Sequence, residues 1–159
     1  MSLERVKEYF QQLGLGDRII EPEASSATVA EAAQALGCQP CQIAKTMSFL
    51  VDGAPVLIVT AGDARVDNQK YKAFFHEKAK MIPADEVEGY IGHAPGGVCP
   101  FATLPGVTVY LDRSLQRFAR VYPAAGSGHS AVDLSLDELE RCSHSVGWLD
   151  VCKGWDAGV

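Results

Sequence analysis

AKTMSFLVDGAPVLIVT, residues 44–60, carries the strongest strand signal in the chain. Ala44 to Val51 is one apolar stretch and Pro55 to Thr60 is another, and the Asp52-Gly53 pair between them is typical of a hairpin turn. The second stretch is rich in valine and isoleucine, which favour strands that are buried on both faces. The sequence therefore predicts a β-hairpin whose second strand is central in a sheet.

The segments around this hairpin predict helices mixed with short strands. Leu3, Val6, Phe10 and Leu13 recur at helical spacing, with Ser2 as a cap and Gly14 as the stop. The Thr28 and Glu31 pair is a capping box for a helix through Leu36. Further helices are expected at 67–78, 83–91 and 135–141, and further strands at 19–20, 107–111, 119–122 and 131–134. Because strands and helices do not strictly alternate, we expect an α/β (α+β) fold with a mixed sheet flanked by helices.

The size and composition of the chain are those of a single globular domain. It has 159 residues, of which 47% are hydrophobic, so a core can form and disorder is excluded as the main state. We expect one domain over residues 1–159, with a frayed tail from Lys153 to Val159. The formal net charge of −6 excludes a protein that coats nucleic acid by bulk charge.

Two features of the sequence predict a cytoplasmic protein. No apolar run approaches the roughly 20 residues that a membrane helix needs. The N-terminal sequence MSLERVKEYF carries charges where a signal peptide would be apolar. The chain has five cysteines, and an odd number in a reducing compartment favours free thiols over disulfides.

The Cys38-Gln39-Pro40-Cys41 segment could be half of a zinc site or a redox pair. A zinc site needs four ligands, and no second such pair or paired histidine motif is present. A redox pair of the thioredoxin type would follow a strand and begin a helix, whereas this pair follows a helix and precedes a strand. We therefore interpret Cys38 and Cys41 as two thiols in a loop, and we expect neither a metal nor a cofactor.

Three other features could bind a ligand, and each has a plain structural alternative. Lys45 lies inside an apolar strand, where it could bind a phosphate or carboxylate, or simply face solvent. The Gly96 to Pro100 loop could present backbone N–H groups to an oxygen, or only connect two elements. Residues 65–80 carry five basic and two acidic side chains, which could steer a polyanion or form a solvated face.

Taken together, these residues resemble a known family. The chain is similar to YbaK/ProX-type aminoacyl-tRNA deacylases, the stand-alone relatives of the editing domain in bacterial prolyl-tRNA synthetases. The similarity runs from about Leu3 to Leu139. It departs from the family pattern at Ala102, where a glycine commonly follows the phenylalanine, and at Cys38 and Cys41, which replace residues that are usually not cysteine. It is carried by Gln42-Ile43-Ala44-Lys45-Thr46, Ala64-Arg65-Val66-Asp67-Asn68, Gly92-His93, Gly96-Gly97-Val98-Cys99-Pro100-Phe101 and Tyr122-Pro123-Ala124-Ala125-Gly126.

The resemblance implies a curved mixed sheet and a deacylase that removes a wrong amino acid from the 3′ acceptor end of tRNA. It implies that Lys45 contacts the phosphate or ribose of the terminal adenosine, and that backbone amides of the Gly96 to Pro100 loop position the aminoacyl carbonyl. It implies no metal and no nucleophilic side chain: a water attacks, helped by a hydroxyl of the substrate's own ribose. The residues expected to bind substrate are Thr46, His93, Gly96, Gly97, Val98, Cys99, Pro100 and Gly126, and those expected to bind tRNA are Arg65, Lys70 and Lys72.

Aminoacyl-tRNA is thus the expected partner, with an aminoacyl-tRNA synthetase as a further one, and neither DNA nor a membrane. Two other functions stay open from the sequence. One is a module that binds an aminoacyl-tRNA end or a nucleotide without hydrolysis, and the other is a thiol redox protein that uses Cys38 and Cys41. The sequence does not identify which amino acid is removed.

Overall fold

The computed structural model describes residues 2–21 and 29–155. Its centre is a six-stranded mixed sheet with helices packed outside, which confirms the predicted fold class. The predicted capping box at Thr28 lies outside the described residues. The helices are α1 Ser2–Gln12, α2 Val29–Leu36, α3 Asn68–Phe75, α4 Ala84–Ile91 and α5 Leu136–Ser143. The strands are β1 Ile19–Ile20, β2 Ile43–Val51, β3 Ala54–Ala61, β4 Arg65–Val66, β5 Thr108–Asp112, β6 Arg120–Pro123, β7 Ala131–Val132, β8 Leu134–Ser135, β9 Trp148–Leu149 and β10 Cys152–Lys153.

The predicted hairpin is the central element of the sheet. β2 and β3 pair antiparallel from Ala44 opposite Ala61 to Val51 opposite Ala54. The turn residues Asp52 and Gly53 have φ values of 51° and 79°, and two successive positive φ angles are the geometry that a two-residue hairpin turn requires. The interior of β3 is fully buried, as its sequence predicts.

The sheet order is β8-β6-β2-β3-β5-β9. β6 runs parallel to β2, and β5 runs parallel to β3 and to β9, while β8 runs antiparallel to β6. β6 pairs with β2 only at Ile43 and Ala44, and the next contact on that edge of β2 is the bridge between Phe49 and Met81. The β2 segment from Lys45 to Met47 therefore lies between two neighbours on that edge, and the functional site opens there.

The C-terminal segment differs from the prediction. The single strand expected at 131–134 is divided into β7 and β8, and two further strands, β9 and β10, follow α5. Lys153 pairs with Arg65 and the Trp155 ring lies against Arg117, so the prediction of a frayed tail is wrong for residues 153–155. Residues 156–159 lie outside the described part. Strands of two residues have too few positions to show alternation, which is why the sequence pattern missed them.

Two predicted helix boundaries also change. Ser2 is the first residue of α1, and its hydroxyl contacts His93 instead of capping the helix. α3 begins one residue after Asp67, whose carboxylate accepts hydrogen bonds from the backbone N–H groups of Gln69 and Lys70, and it ends at Phe75. Among the helices of the described residues, none is long and apolar enough to cross a membrane.

Candidate functional site

A cavity of about 290 Å³ lies at the edge of the sheet, beside the start of β2. Its walls come from α2, from β2, from the loop after α4 and from the segment between β6 and β7. The lining residues are Val29, Ala32, Leu36, Ile43, Ala44, Lys45, Thr46, Gly96, Val98, Tyr122, Ala124, Ser127, Ser130 and Ala131. Most of these lining residues are apolar, and Lys45 is the one charged side chain on the wall among the described residues.

Lys45 is half-buried in the cavity wall. Burial lowers the pKa of its ammonium group, while the negative charge of Asp63 opposes that effect and the positive charge of Arg65 adds to it. Asp63 itself is bound by Arg117, whose two terminal nitrogens lie 3.0 and 2.6 Å from its carboxylate oxygens. Within residues 2–21 and 29–155, Lys45 forms no ion pair. A partly desolvated cation without a carboxylate is suited to bind an anionic or carbonyl oxygen of a ligand.

Thr46 provides a second polar group at the cavity. Its hydroxyl oxygen is buried and has no hydrogen-bond partner among the described residues, although Thr46 lines the cavity. A buried hydroxyl without a partner costs about 1–3 kcal/mol, so a ligand that bonds to it would recover part of that cost. Two further hydroxyls, those of Ser127 and Ser130, bond to each other at 2.8 Å in the same wall.

The loop after α4 forms its wall of the cavity through close backbone contact. A Cβ atom at Gly97 would lie 2.6 Å from the carbonyl carbon and oxygen of Gly126, a distance that no side chain tolerates. A Cβ at Gly126 would in turn lie 2.9 Å from the Ser2 hydroxyl oxygen, and Gly126 has φ +99°. The two glycines therefore allow the loop, the β6–β7 segment and the start of α1 to stack directly. This stacking fixes the positions of Gly96 and Val98, which face the cavity.

Lys45, predicted as the catalytic residue, and the eight predicted substrate-binding residues divide into two groups. Lys45, Thr46, Gly96 and Val98 line the cavity, whereas His93, Gly97, Cys99, Pro100 and Gly126 are buried around it and do not line it. The predicted residues that line the cavity therefore come from both β2 and the loop. The other five residues pack behind the wall.

His93 is completely buried and holds the ends of the loop together. Its Nε2 lies 2.7 Å from the carbonyl oxygen of Phe101, which can only accept, so Nε2 carries the proton. Nδ1 is then an acceptor for the hydroxyl of Ser2. Burial lowers the pKa of His93 and raises the pKa of the neighbouring Cys99 thiol to about 12. A neutral imidazole and a protonated thiol form a support for the loop, not a nucleophile and base.

The three basic residues predicted to bind tRNA differ in their surroundings. Lys70 donates to a carboxylate oxygen of Asp150 at 3.1 Å and to the carbonyl oxygen of Cys152 at 2.9 Å, so it holds the C-terminal segment. Lys72 is exposed on α3. Arg65 is exposed on β4, and its positive charge contributes to the lowered pKa of Lys45.

The five cysteines are all free, with Cys38 and Cys41 half-buried and the other three buried. In the part of the chain that the structure describes, no group of three or more His, Cys, Asp or Glu side chains could hold a metal ion. Burial raises the pKa of Cys38, which does not favour the thiolate that a redox pair needs.

The apolar side of the cavity was not predicted from the sequence. Ala32 and Leu36 of α2, Ile43 of β2 and Tyr122 of β6 form this side together, in a small second cluster separate from the main core. The apolar face of α2 was visible in the sequence, but its partner across the fold was not. Only the pairing of β6 with the start of β2 brings Tyr122 opposite α2.

Comparison with known proteins identifies the family. A profile of the aminoacyl-tRNA editing domain matches residues 23–142, about three quarters of the chain. The chain therefore belongs to the aminoacyl-tRNA editing domain family.

Among its relatives is the protein YwhH of Bacillus subtilis (strain 168), named as uncharacterized, which is 46% identical over 157 residues and covers 98% of this chain and 100% of that protein. The proline–tRNA ligase of Bacillus licheniformis is 29% identical over 128 residues. That match covers 80% of this chain but only 22% of the ligase, so the chain corresponds to about a fifth of that enzyme.

Solved structures agree with this family assignment. A crystal structure proposed to be that of a trans-editing enzyme for prolyl tRNA synthetase superposes with a TM-score of 0.86 at 28% identity, over 96% of this chain and 98% of the other. The hypothetical protein APE2540 superposes with a TM-score of 0.83 at 30% identity, over 94% of this chain and 99% of the other. The curled mixed sheet is thus the fold of prolyl-tRNA editing domains.

Proposed function

We propose that this chain is a free-standing deacylase that hydrolyses the ester bond of mischarged aminoacyl-tRNA in trans. The observation that carries the proposal is the cavity itself, where the ammonium of Lys45, the hydroxyl of Thr46 and the backbone of Gly96 and Val98 meet in one space. Among the residues that the structure describes, neither that ammonium nor that hydroxyl has an ion-pair or hydrogen-bond partner. Membership of the editing family supports the aminoacyl ester as the substrate.

The aminoacyl ester is an activated bond, so the site needs position and charge more than a strong nucleophile. A water oxygen attacks the carbonyl carbon, the bond to the terminal ribose oxygen breaks, and a proton of the water passes to that ribose oxygen. A neighbouring hydroxyl of the ribose assists the attack. The products are the free amino acid and uncharged tRNA.

In this proposal Lys45 acts through its positive charge. It holds the phosphate or ribose of the terminal adenosine, which places the ester against the loop. Backbone N–H groups of the Gly96 to Pro100 loop polarise the carbonyl oxygen, and the stacking of Gly97 on Gly126 keeps that loop in place. The apolar side of the cavity, which includes Ala32, Leu36 and Tyr122, takes the side chain of the amino acid.

The protein would carry out this reaction in the cytoplasm, where tRNA is charged, on tRNA that a synthetase has released or still holds. The similarity to part of a proline–tRNA ligase supports proline-specific tRNA as the first substrate to test. Loss of the aminoacyl ester would be followed with a panel of correctly and wrongly charged tRNAs.

We expect a fast loss of at least one wrong amino acid and slow loss of the correct one. Tight binding of charged tRNA with no ester loss for any member of the panel would contradict the proposal. That result would favour the second function, a module that binds the aminoacyl end without hydrolysis.

A further inference from the structure

The small two-stranded sheet beside the cavity contains two like charges side by side. β4 and β10 run antiparallel, with Arg65 directly opposite Lys153, and both residues are exposed. Like charges at directly opposed positions of an antiparallel pair destabilise it. The protein therefore keeps a pair of cations in an arrangement that the stability of the fold does not explain.

The carboxylates near this pair are engaged elsewhere. Asp63 is bound to Arg117 at 2.6 and 3.0 Å, and Asp150 is bound to Lys70 at 3.1 Å. Asp67 accepts the backbone N–H groups at the start of α3 at 2.9 and 3.1 Å. In the ranges 2–21 and 29–155, neither Arg65 nor Lys153 forms an ion pair. Lys153 attracts the Asp67 carboxylate without forming an ion pair with it, so both cations keep the capacity to bind an external anion.

The backbone of the C-terminal segment keeps the two cations together. The carbonyl oxygen of Cys152 accepts from Lys70, and the backbone N–H of Val151 donates to the buried carboxylate of Asp112 at 2.9 Å. The guanidinium of Arg65 lies along Gly154, where a Cβ atom would be 3.6 Å from its Nε. The pair is therefore built on a fixed backbone.

The pair lies close to the Lys45 end of the cavity. Ala61 pairs with Ala44 of the cavity wall, and Arg65 follows Ala61 by four positions. Arg65 lies within the residues 23–142 that the family profile matches, whereas Lys153 follows them by eleven positions. An RNA strand that enters the cavity from this side would place its preceding phosphates near the pair.

We propose that Arg65 and Lys153 form a phosphate-binding pair that holds the single-stranded acceptor end of tRNA while its terminal nucleotide lies at Lys45. This inference rests on the proposed function and adds to it the place where the RNA backbone binds. Lys70, which is bound to Asp150, has a structural role in this arrangement.

The test compares two double variants that remove the same charge. Arg65→Gln with Lys153→Gln removes the pair, and Lys78→Gln with Lys80→Gln removes two exposed cations near Leu50, at the opposite end of β2 from Lys45. Each protein is assayed with full-length aminoacyl-tRNA and with an aminoacylated adenosine that has no phosphate.

We expect the Arg65 and Lys153 variant to raise KM for aminoacyl-tRNA about tenfold or more, with a much smaller change in its hydrolysis of the aminoacyl-adenosine. The slope of log affinity against log salt should fall by roughly 0.7 for each lost phosphate contact. The Lys78 and Lys80 variant should behave as the parent does.

Equal KM values and salt slopes for the two double variants would overturn the proposal that Arg65 and Lys153 bind phosphate. Loss of aminoacyl-adenosine hydrolysis in the Arg65 and Lys153 variant would also overturn it, because the pair would then act through the cavity. If the parent hydrolyses no charged tRNA, the proposed function fails. The pair is then tested by the binding of fluorescently labelled uncharged tRNA, with the same two variants and the same expected slopes.

Discussion

Gly96 and Val98 face the cavity, whereas His93, Cys99 and Phe101 of the same segment are completely buried on its other side. The cavity side offers a ligand backbone groups and a small amount of apolar surface. The buried side forms hydrogen bonds to Ser2 and within the segment itself. One short sequence motif thus contains two kinds of residue, and only the first kind is exposed to the cavity.

The largest effect is expected where the two sides meet, at Gly97. In Gly97→Val the new side chain would collide with the backbone of Gly126, at 2.6 Å already for its Cβ, so the loop must move. A displacement of about 1 Å at a reacting group can cost about a hundredfold in rate, and we expect at least that loss in kcat/KM.

The matched control for this substitution is Gly89→Ala on the exposed side of α4, where a Cβ meets no atom within 4 Å. It should keep full activity and stabilise the helix by about 0.5–1 kcal/mol. Full activity of Gly97→Val would show that the loop position does not matter.

His93→Gln tests the buried side alone. Glutamine retains a donor and an acceptor but not the ring shape, so we expect a loss of about 1–3 kcal/mol in the free energy of unfolding. Because the change only loosens the loop, we expect kcat to fall about tenfold, far less than for a change at the reacting centre, with KM nearly unchanged. A large rise in KM would instead place His93 in contact with the substrate.

The pH dependence of stability gives His93 a signature of its own. Burial lowers the pKa of His93 below its value of 6.5 in the unfolded chain, with the charge of Arg5 adding to the effect. As pH falls below 6.5, the unfolded chain binds a proton that the folded chain does not. The free energy of unfolding of the parent therefore falls by up to about 1.4 kcal/mol per pH unit. This loss of stability ends once the pH is below the pKa of His93 in the folded protein. The His93→Gln variant should not show it. Identical pH profiles for parent and variant would contradict the assignment of His93 as a neutral buried support.

Thr46→Val, compared with Tyr71→Phe, distinguishes a polar group that lines the cavity from one that lies only in the core. Both Thr46 and Tyr71 have buried hydroxyl oxygens without a partner among the described residues, and only Thr46 lines the cavity. Removing either hydroxyl should stabilise the protein by about 1 kcal/mol. Thr46→Val should also slow deacylation, while Tyr71→Phe, the control, should not. Equal activity of the two variants would remove Thr46 from the site.

The smallest effect is expected at Ala102, which is half-buried and directly follows Phe101. Ala102 has φ +51°, a left-handed conformation that costs an alanine about 1–2 kcal/mol. This conformation explains why glycine is common at the position. Glycine relieves this strain but has greater conformational freedom in the unfolded chain, which offsets part of the gain. Ala102→Gly should therefore raise the free energy of unfolding by about 0.5–1 kcal/mol and leave the activity unchanged.

Ala73→Gly on the exposed face of α3 is the control for Ala102→Gly. Ala73 has a helical φ, so replacing it by glycine should lower the free energy of unfolding by about 1 kcal/mol. A similar loss for both variants would mean that no strain is relieved at residue 102.

The sequence was sufficient for the elements that carry long patterns. The hairpin of β2 and β3 has two apolar stretches and a specific turn, and each of the five helices has either a cap or a periodic apolar face. β9 and β10 could not be found this way, because they are held by distant partners such as the Asp112 carboxylate and β4. Their contacts depend on the finished fold.

The site was predictable in part for the same reason. Lys45 and the Gly96 to Pro100 loop stood out because a charge in an apolar strand and paired glycines are local irregularities. The burial of His93 and Cys99 depends on the position of α1, whose first residue lies 91 positions away from His93 in the sequence. The apolar wall at Tyr122 likewise depends on strand pairing, which no local pattern specifies.

The most direct test of the account is the rate of ester loss from a mischarged tRNA by Lys45→Met in a single turnover. Methionine has a similar length but no charge, so we expect a loss of about a hundredfold or more. Because burial lowers the pKa of Lys45, the charge costs stability, and the variant should unfold at a higher temperature than the parent. A slower and more stable enzyme is the predicted result, and a rate within twofold of the parent would contradict the role of Lys45.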